Sequence, residues 1–257
     1  MKQEEKIDYL ISYLISENKT YHDLFIPSSI NERKQLLRAL MNVRPPKPIS
    51  KKFIEIQDSY LQQNLQESVI TSLHDLHEIQ PDIFLWQGDI TKLRVDAIVN
   101  AGNDALLGCF APCHGCIDNV IHTYAGVQLR LACNTIMQRQ GTPEPVGQAK
   151  ITHAFNLPSK YVLHTVGPLI SSVPTNKDCE LLASCYRSCI ELADTKDLKS
   201  IAFCCISTGE FHFPNKLAAK IAIRTVQQYK TETHSKIKVI FNVFKEIDNE
   251  IYTELLG

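Results

Sequence analysis

Apolar residues in the first third of the chain recur at intervals of three and four. Ile7, Leu10, Ile11, Leu14 and Ile15 make one such stripe, so this segment reads as an amphipathic helix. A second helix begins at Ser29, which with Glu32 has the spacing of a capping box. It carries Leu36, Leu37, Leu40 and Met41 and is stopped by Pro45-Pro46-Lys47-Pro48. A third runs from about Ser50 toward Ser72 with Phe53, Ile56, Tyr60, Leu61 and Leu65 on one face. Residues 1–80 therefore read as an N-terminal helical extension. Three apolar stripes on so short a segment are marginal alone, so it is expected to pack on the remainder as an appendage. Tyr21, His22, His74 and His77 are its polar candidates and read as loop or surface residues, leaving the extension without chemistry.

From Asp82 the pattern changes to short apolar runs alternating with helical ones. Ile83–Trp86, Val95–Val99, Lys150–Ala154, Tyr161–Thr165, Ile201–Ile206 and Lys238–Phe244 read as strands; Ile117–Gln138, Asp178–Ala193, Asn215–Lys230 and Glu246–Leu255 read as helices. This is an α/β layout over residues 81–257, with a mixed central sheet and helices on both faces. Sites in such sheets gather at the carboxyl ends of strands, which directs attention to the loops after Trp86, Val99 and Ile206.

Composition narrows the class. Of 257 residues, 44% are apolar and 21% charged, and the net charge is −1, so the chain is globular and carries no basic field for a nucleic-acid partner. The run from Ile7 to Ile15 is too short and too interrupted for a membrane span or a secretory signal. Nine cysteines, an odd number including the adjacent pair Cys204-Cys205, lack a disulfide framework and indicate a reducing cytoplasm.

The loop after Val99 concentrates the candidate chemistry. Asn100 to Gly126 reads NAGNDALLGCFAPCHGCIDNVIHTYAG. Cys109, His114 and Cys116 form a C-x4-H-x-C set in a segment that Gly108, Pro112 and Gly115 keep irregular, a donor set suited to zinc with one position left for water or substrate. Cys113 is a spare thiol. The plain alternative is that these are ordinary small side chains of a cytoplasmic protein. Asp118 follows in the first turn of a helix, where a carboxylate is either a helix-start acid or a group that orients water or a hydroxyl. His122, one turn on, reads as a satisfied packing histidine. After Trp86 stands Gly88-Asp89-Ile90-Thr91, in which Asp89 doubles as a turn residue. After Ile206 comes Ser207-Thr208-Gly209-Glu210-Phe211-His212-Phe213-Pro214, whose N–H groups can cradle phosphate, as can those of many ordinary strand-to-helix turns. The G-x-G-x-x-G, G-x-x-x-x-G-K-[ST] and G-x-S-x-G motifs are absent, which disfavours classical dinucleotide oxidoreduction, P-loop phosphoryl transfer and serine hydrolysis. A cysteine nucleophile, Cys116 with His122 or His114 as base, remains open.

Taken together, Gly88-Asp89-Ile90-Thr91, Val95 through Asn103, Ile117-Asp118 through Ala125-Gly126, His164-Thr165-Val166-Gly167-Pro168 and Ser207-Thr208-Gly209 through Phe213-Pro214 resemble the macrodomain family over residues 82–257. Many hydrolytic macrodomains carry a glycine run where this chain has Gly108 to Cys116. That departure is similar to the zinc-dependent branch of bacterial pathogens, which also has an N-terminal helical extension. The resemblance implies removal of mono-ADP-ribose from modified proteins, a functional link to a sirtuin-type ADP-ribosyltransferase, and a lipoylated glycine-cleavage-H-like carrier as the modified partner. By the same resemblance, Asp89 and the Ile90 backbone would read adenine, and Asn103 and Asp118 would face the distal ribose. The loop from Ser207 to Phe213, with Thr208, Gly209, Glu210 and Phe211, would hold the diphosphate by its N–H groups, Phe213 would cover the distal sugar, and Phe244 would stack on adenine. His164 is expected to be structural.

The resulting expectation is an enzyme in which Zn2+ on Cys109, His114 and Cys116 acts as Lewis acid or lowers the pKa of bound water, with Asp118 and Asn103 as catalytic residues on an acidic-side-chain linkage. The alternatives are a reader that binds ADP-ribose without turnover, and a hydrolase of small esters such as O-acetyl-ADP-ribose.

Overall fold

The computed structural model describes all 257 residues. The three N-terminal stripes form α1 (Gln3–Ser16), α2 (Ile30–Val43) and α3 (Lys51–Gln66). Ser50 caps α3 by accepting the Phe53 N–H at 3.1 Å, whereas Ser29 stands at the start of α2 without a side-chain cap bond. The predicted capping box is therefore not made. α2 ends at Val43, before the prolines, with Arg44 already extended. The apolar faces of the three helices bury one another in a 12-residue cluster that includes Ile7, Leu10, Leu37, Phe53 and Leu61, and into which Val127 from the rest of the chain also packs.

Beyond them lie β1 (Thr71–Ser72), β2 (Glu78–Gln80), β3 (Ile83–Gln87), β4 (Leu93–Arg94) and β5 (Ala97–Gly102), then α4 (Ile117–Ala125) and α5 (Val127–Gln140). β6 (Ala149–His153), β7 (Tyr161–Val166), α6 (Asn176–Thr195), β8 (Ser200–Phe203), α7 (Asn215–Thr233), β9 (Lys238–Val243) and α8 (Glu246–Leu256) complete the chain. β1 pairs with β4 alone, and the other seven strands form one sheet in the order β2-β3-β9-β8-β5-β7-β6. Its five central strands are parallel, and β2 and β6 close the two edges antiparallel. Consecutive residues of a strand point to opposite faces, yet Ala97, Ile98 and Val99 are all 0% exposed, as are Val239 and Ile240. Both faces of the sheet are thus covered, which is why these strands read as unbroken apolar runs. No helix is long and apolar enough to cross a membrane.

One predicted helix is two. The periodicity from Ile117 to Gln138 runs through Gly126, but that residue has φ +92°, and the chain turns there between α4 and α5. A β-carbon at Gly126 would lie 2.5 Å from Nε2 of Gln57 on α3, and Gln57 Oε1 accepts the Val127 N–H at 2.9 Å. The N-terminal helices dock into this break. They are also tied down by Arg130 of α5, which donates to the carbonyls of Arg44 (2.5 Å) and Met41 (3.1 Å) while its Nε holds the Leu107 carbonyl of the loop after β5 (2.6 Å).

Candidate active site

A cavity of about 680 Å³ opens at the carboxyl ends of the parallel strands. The loops after β3, β5, β8 and β9 and the start of α4 form its wall, so the three loops singled out from the sequence meet in one place. Asp89, Ile90, Asn103, Cys109, His114, Cys116, Asp118 and Ser207 through Phe211 all line it. Phe213 does not. The chain turns at His212, with φ +56°, and sends Phe213 into the core at 1% exposure, leaving Phe211 as the aromatic ring that this loop presents to the cavity. Phe244, at the end of β9, lines the cavity mouth and is 74% exposed.

On the β3 side, Asp89 accepts the N–H (3.0 Å) and hydroxyl (2.7 Å) of Thr91 through Oδ1, which fixes the carboxylate and leaves Oδ2 uncommitted. Behind it, Asn242 Nδ2 donates to the Gly88 carbonyl at 2.9 Å and sets the turn. On the β8 side, Ser207 enters the loop with φ +65°. Gly167 must be glycine there, because a β-carbon would come 2.0 Å from Ser207 Oγ. The amides of Gly209, Glu210 and Phe211 make no hydrogen bond with the rest of the chain and are free to receive an anion.

After β5, Asn103 braces the turn by accepting the Ala105 N–H at 3.1 Å and donating to the Gly108 carbonyl at 3.3 Å. Asp118 is not an exposed helix-start acid. It is 5% exposed and its Oδ1 accepts from Asn100 Nδ2 at 2.8 Å. Burial raises its pKa to about 6, against the lowering pull of the Asn100 hydrogen bond and the Arg130 charge. His122 lies 3.5 Å from the same oxygen, and neither of its buried ring nitrogens makes a hydrogen bond, so the expected satisfied histidine is an unsatisfied one. Burial holds it neutral, well below the usual imidazole range. His164 is, as expected, enclosed: it is 0% exposed and contacts Asn100 (3.3 Å) and Thr152 (2.9 Å).

The donor atoms of Cys109, His114 and Cys116 lie within 4.8 Å of one another on the cavity wall, with Cys109 Sγ 3.7 Å from His114 Nδ1. His114 turns Nε2 toward Glu210, 3.7 Å away, which is the side on which a ligating imidazole ordinarily meets a carboxylate. Burial, with the Cys109 thiol beside it, pushes the Cys116 thiol up to about 12. The Asn119 N–H, which donates to Cys116 Sγ at 3.5 Å, offsets only part of that cost, and a dication would offset more, since metal ligands bind as thiolates. Two sulfurs and one imidazole fit zinc and do not fit magnesium or calcium. Cys113 turns away with φ +53°, its Sγ donating to the Gln35 carbonyl. A second cluster of His122, Cys133 and His164 is wholly buried and does not open on the cavity.

Two contributors escaped the sequence reading. Asn100 is a polar residue in an otherwise apolar strand, and that break in the run is the signal for it. Arg38 of α2 also lines the cavity, so the N-terminal helices are not a bare appendage; nothing in their apolar stripes marks it.

The macro domain family matches residues 99–222. A protein-ADP-ribose hydrolase of Treponema medium is 55% identical over 261 residues, covering 100% of both chains. Among solved structures, the Oceanobacillus iheyensis macrodomain with ADP is 39% identical at TM-score 0.63, covering 70% of this chain and 93% of its own. The Trypanosoma brucei macrodomain in complex with ADP-ribose is 28% identical at TM-score 0.67, covering 85% of this chain and 95% of its own. Identity of 55% over the full length of a curated relative, joined to the family match over residues 99–222, leaves one conclusion: the chain belongs to the macro domain family.

Proposed function

We propose that this protein is a zinc-dependent hydrolase that removes mono-ADP-ribose from modified proteins at acidic side chains. The observation that carries the reading is that the buried carboxyl of Asp118 and the Cys109, His114 and Cys116 donors share one cavity with the Asp89 turn and the free amides of residues 209–211.

Asp89 Oδ2 is suited to accept the adenine exocyclic amine and the Ile90 N–H to meet a ring nitrogen. The amides of Gly209, Glu210 and Phe211 suit the diphosphate, and Phe244 offers a face for the base. Asn103 then holds the distal ribose beside Asp118. Water attacks the anomeric carbon as the bond from that carbon to the acceptor oxygen breaks. The side-chain carboxylate leaves with the bonding pair, and Asp118 orients the water or takes its proton. Asn100 keeps the Asp118 oxygen aimed during this step. A zinc ion, when bound, supplies Lewis-acid polarisation at the distal sugar.

The expected division at residue 80 shifts toward the N-terminus: α3 ends at Gln66, β1 and β2 pair with β4 and β3, and Leu73, Leu76 and Ile79 pack on the larger apolar core, so the helical segment is α1 to α3 and the macrodomain begins with β1. Nine free cysteines support a reducing compartment, the cytoplasm. The proposed substrate is an ADP-ribosylated protein, a lipoylated glycine-cleavage-H-like carrier modified by a sirtuin-type ADP-ribosyltransferase being the candidate. Release of ADP-ribose from such a carrier, with metal analysis and with and without a chelator, tests the reading. Turnover that depends on about one zinc per chain supports it, and metal-independent release refutes the zinc requirement.

A further inference from the structure

The segment that carries the three donors has little main-chain order of its own. Its one internal main-chain hydrogen bond runs from the His114 N–H to the Ala111 carbonyl at 3.3 Å. Its shape comes instead from side chains outside it. Asn119, 0% exposed, donates through Nδ2 to the carbonyls of Ala111 (2.9 Å) and Cys109 (3.3 Å), and its main-chain N–H donates to Cys116 Sγ at 3.5 Å. Arg38 of α2 completes the set: its Nη2 donates to the His114 carbonyl at 2.8 Å and to Asn119 Oδ1 at 2.9 Å. One turn along α2, Asn42 Oδ1 accepts the Cys113 N–H at 2.9 Å while its Nδ2 donates to Thr123 Oγ1 at 2.9 Å, and that hydroxyl donates to the Asn119 carbonyl at 2.7 Å. Every donor residue is thus held, by its carbonyl or its sulfur, through a network whose far end is anchored in the N-terminal helices.

We infer that Arg38 is a positioning residue of the metal centre, and that the N-terminal helices serve the reaction by fixing the Cys109, His114 and Cys116 donors through the Arg38–Asn119 pair. The inference rests on reading those three residues as zinc ligands. Groups that orient ligands from outside the coordination shell typically change metal affinity or activity by about 10- to 100-fold when removed. A planar guanidinium reaches two acceptors in fixed directions, which suits it to hold a loop in register. A role limited to docking α2 predicts a loss of stability with no effect on the metal.

The test is the rate at which zinc passes from the full-length protein to a chelating dye, measured on wild type, Arg38→Met and Arg33→Met. Arg33 pairs with Asp8 (2.6 Å) and Glu4 (3.4 Å) of α1 and does not line the cavity, so its variant registers a loss of packing between the N-terminal helices with the donor loop untouched. Arg38→Met is expected to release zinc at least about 10-fold faster than wild type, with Arg33→Met unchanged in release. Should Arg38→Met fail to fold by circular dichroism, Arg38→Gln is read against the same control. Release from the Arg38 variant at the wild-type rate, or no faster than from Arg33→Met, overturns the inference while leaving zinc dependence standing. A wild-type protein that carries no zinc overturns both.

Discussion

Asn100 Nδ2 donates to Asp118 Oδ1 at 2.8 Å, and this is the one hydrogen bond that the buried carboxylate makes within the protein. The pair crosses from β5 to α4, so the sheet sets the aim of an acid that the helix supplies. Asn100→Ala is expected to leave Asp118 in the wall but loosely directed. Turnover should fall while ADP-ribose affinity holds within about threefold, under 1 kcal/mol. Affinity and single-turnover release measured on the same variant check this, and equal losses in both would mean that Asn100 serves binding.

The Asp118 carboxyl also predicts a pH dependence of stability in metal-free protein. Its folded pKa, about 6, lies above the ordinary 3.8, so the native state holds this proton more tightly than the unfolded chain does. Stability from this group therefore falls as pH rises from about 4 to about 6, and the penalty is complete above that window. His122 works in the opposite direction, because its folded pKa is depressed and its contribution is lost as pH falls. Comparing wild type with Asp118→Asn isolates the carboxyl. The difference in unfolding free energy should drift against wild type by a few kcal/mol across that window, since each tenfold difference in proton affinity between the two states is worth ~1.4 kcal/mol. A flat difference in denaturant titrations would contradict the raised pKa.

Recognition is tested at Asp89. Asp89 lines the cavity and its Oδ2 makes no hydrogen bond within the protein, so Asp89→Ala should weaken ADP-ribose by about 1–3 kcal/mol, the cost of leaving a buried polar group of the ligand unpaired. Calorimetry that returns unchanged affinity would remove Asp89 from the adenine site.

The break between α4 and α5 carries a stability prediction. Gly126 has φ +92° and ψ 173°, a region closed to side-chain-bearing residues, and its α-carbon abuts Gln57. Gly126→Ala should cost of order 1–3 kcal/mol in thermal or denaturant unfolding. No loss would mean that the N-terminal helices do not depend on this contact.

These relationships differ in how far they could be read from the chain. The helices α1 to α3 and the central strands are written in local periodicity, and the donor loop stands out because cysteine and histidine rarely crowd an irregular segment. Gly126 was hidden because the apolar period continues through it, and only a positive φ interrupts the helix. Phe211 and Phe213 flank a single residue in a loop with no repeat, so the ring that faces the cavity was settled by the left-handed turn at His212. β1, β2 and β4 are two or three residues long and hold no period at all. Arg38 meets the His114 carbonyl across 76 positions of sequence, a contact that no local pattern encodes.

The central claim is that Asp118 acts in turnover and is not a helix-start acid. Single-turnover release of ADP-ribose from a modified protein by Asp118→Asn, at zinc content and ADP-ribose affinity matched to wild type, tests it most directly. A positioned proton acceptor contributes about 10²-fold or more, so release should slow by at least that factor while binding persists. Release near the wild-type rate, with zinc and affinity retained, would contradict the account.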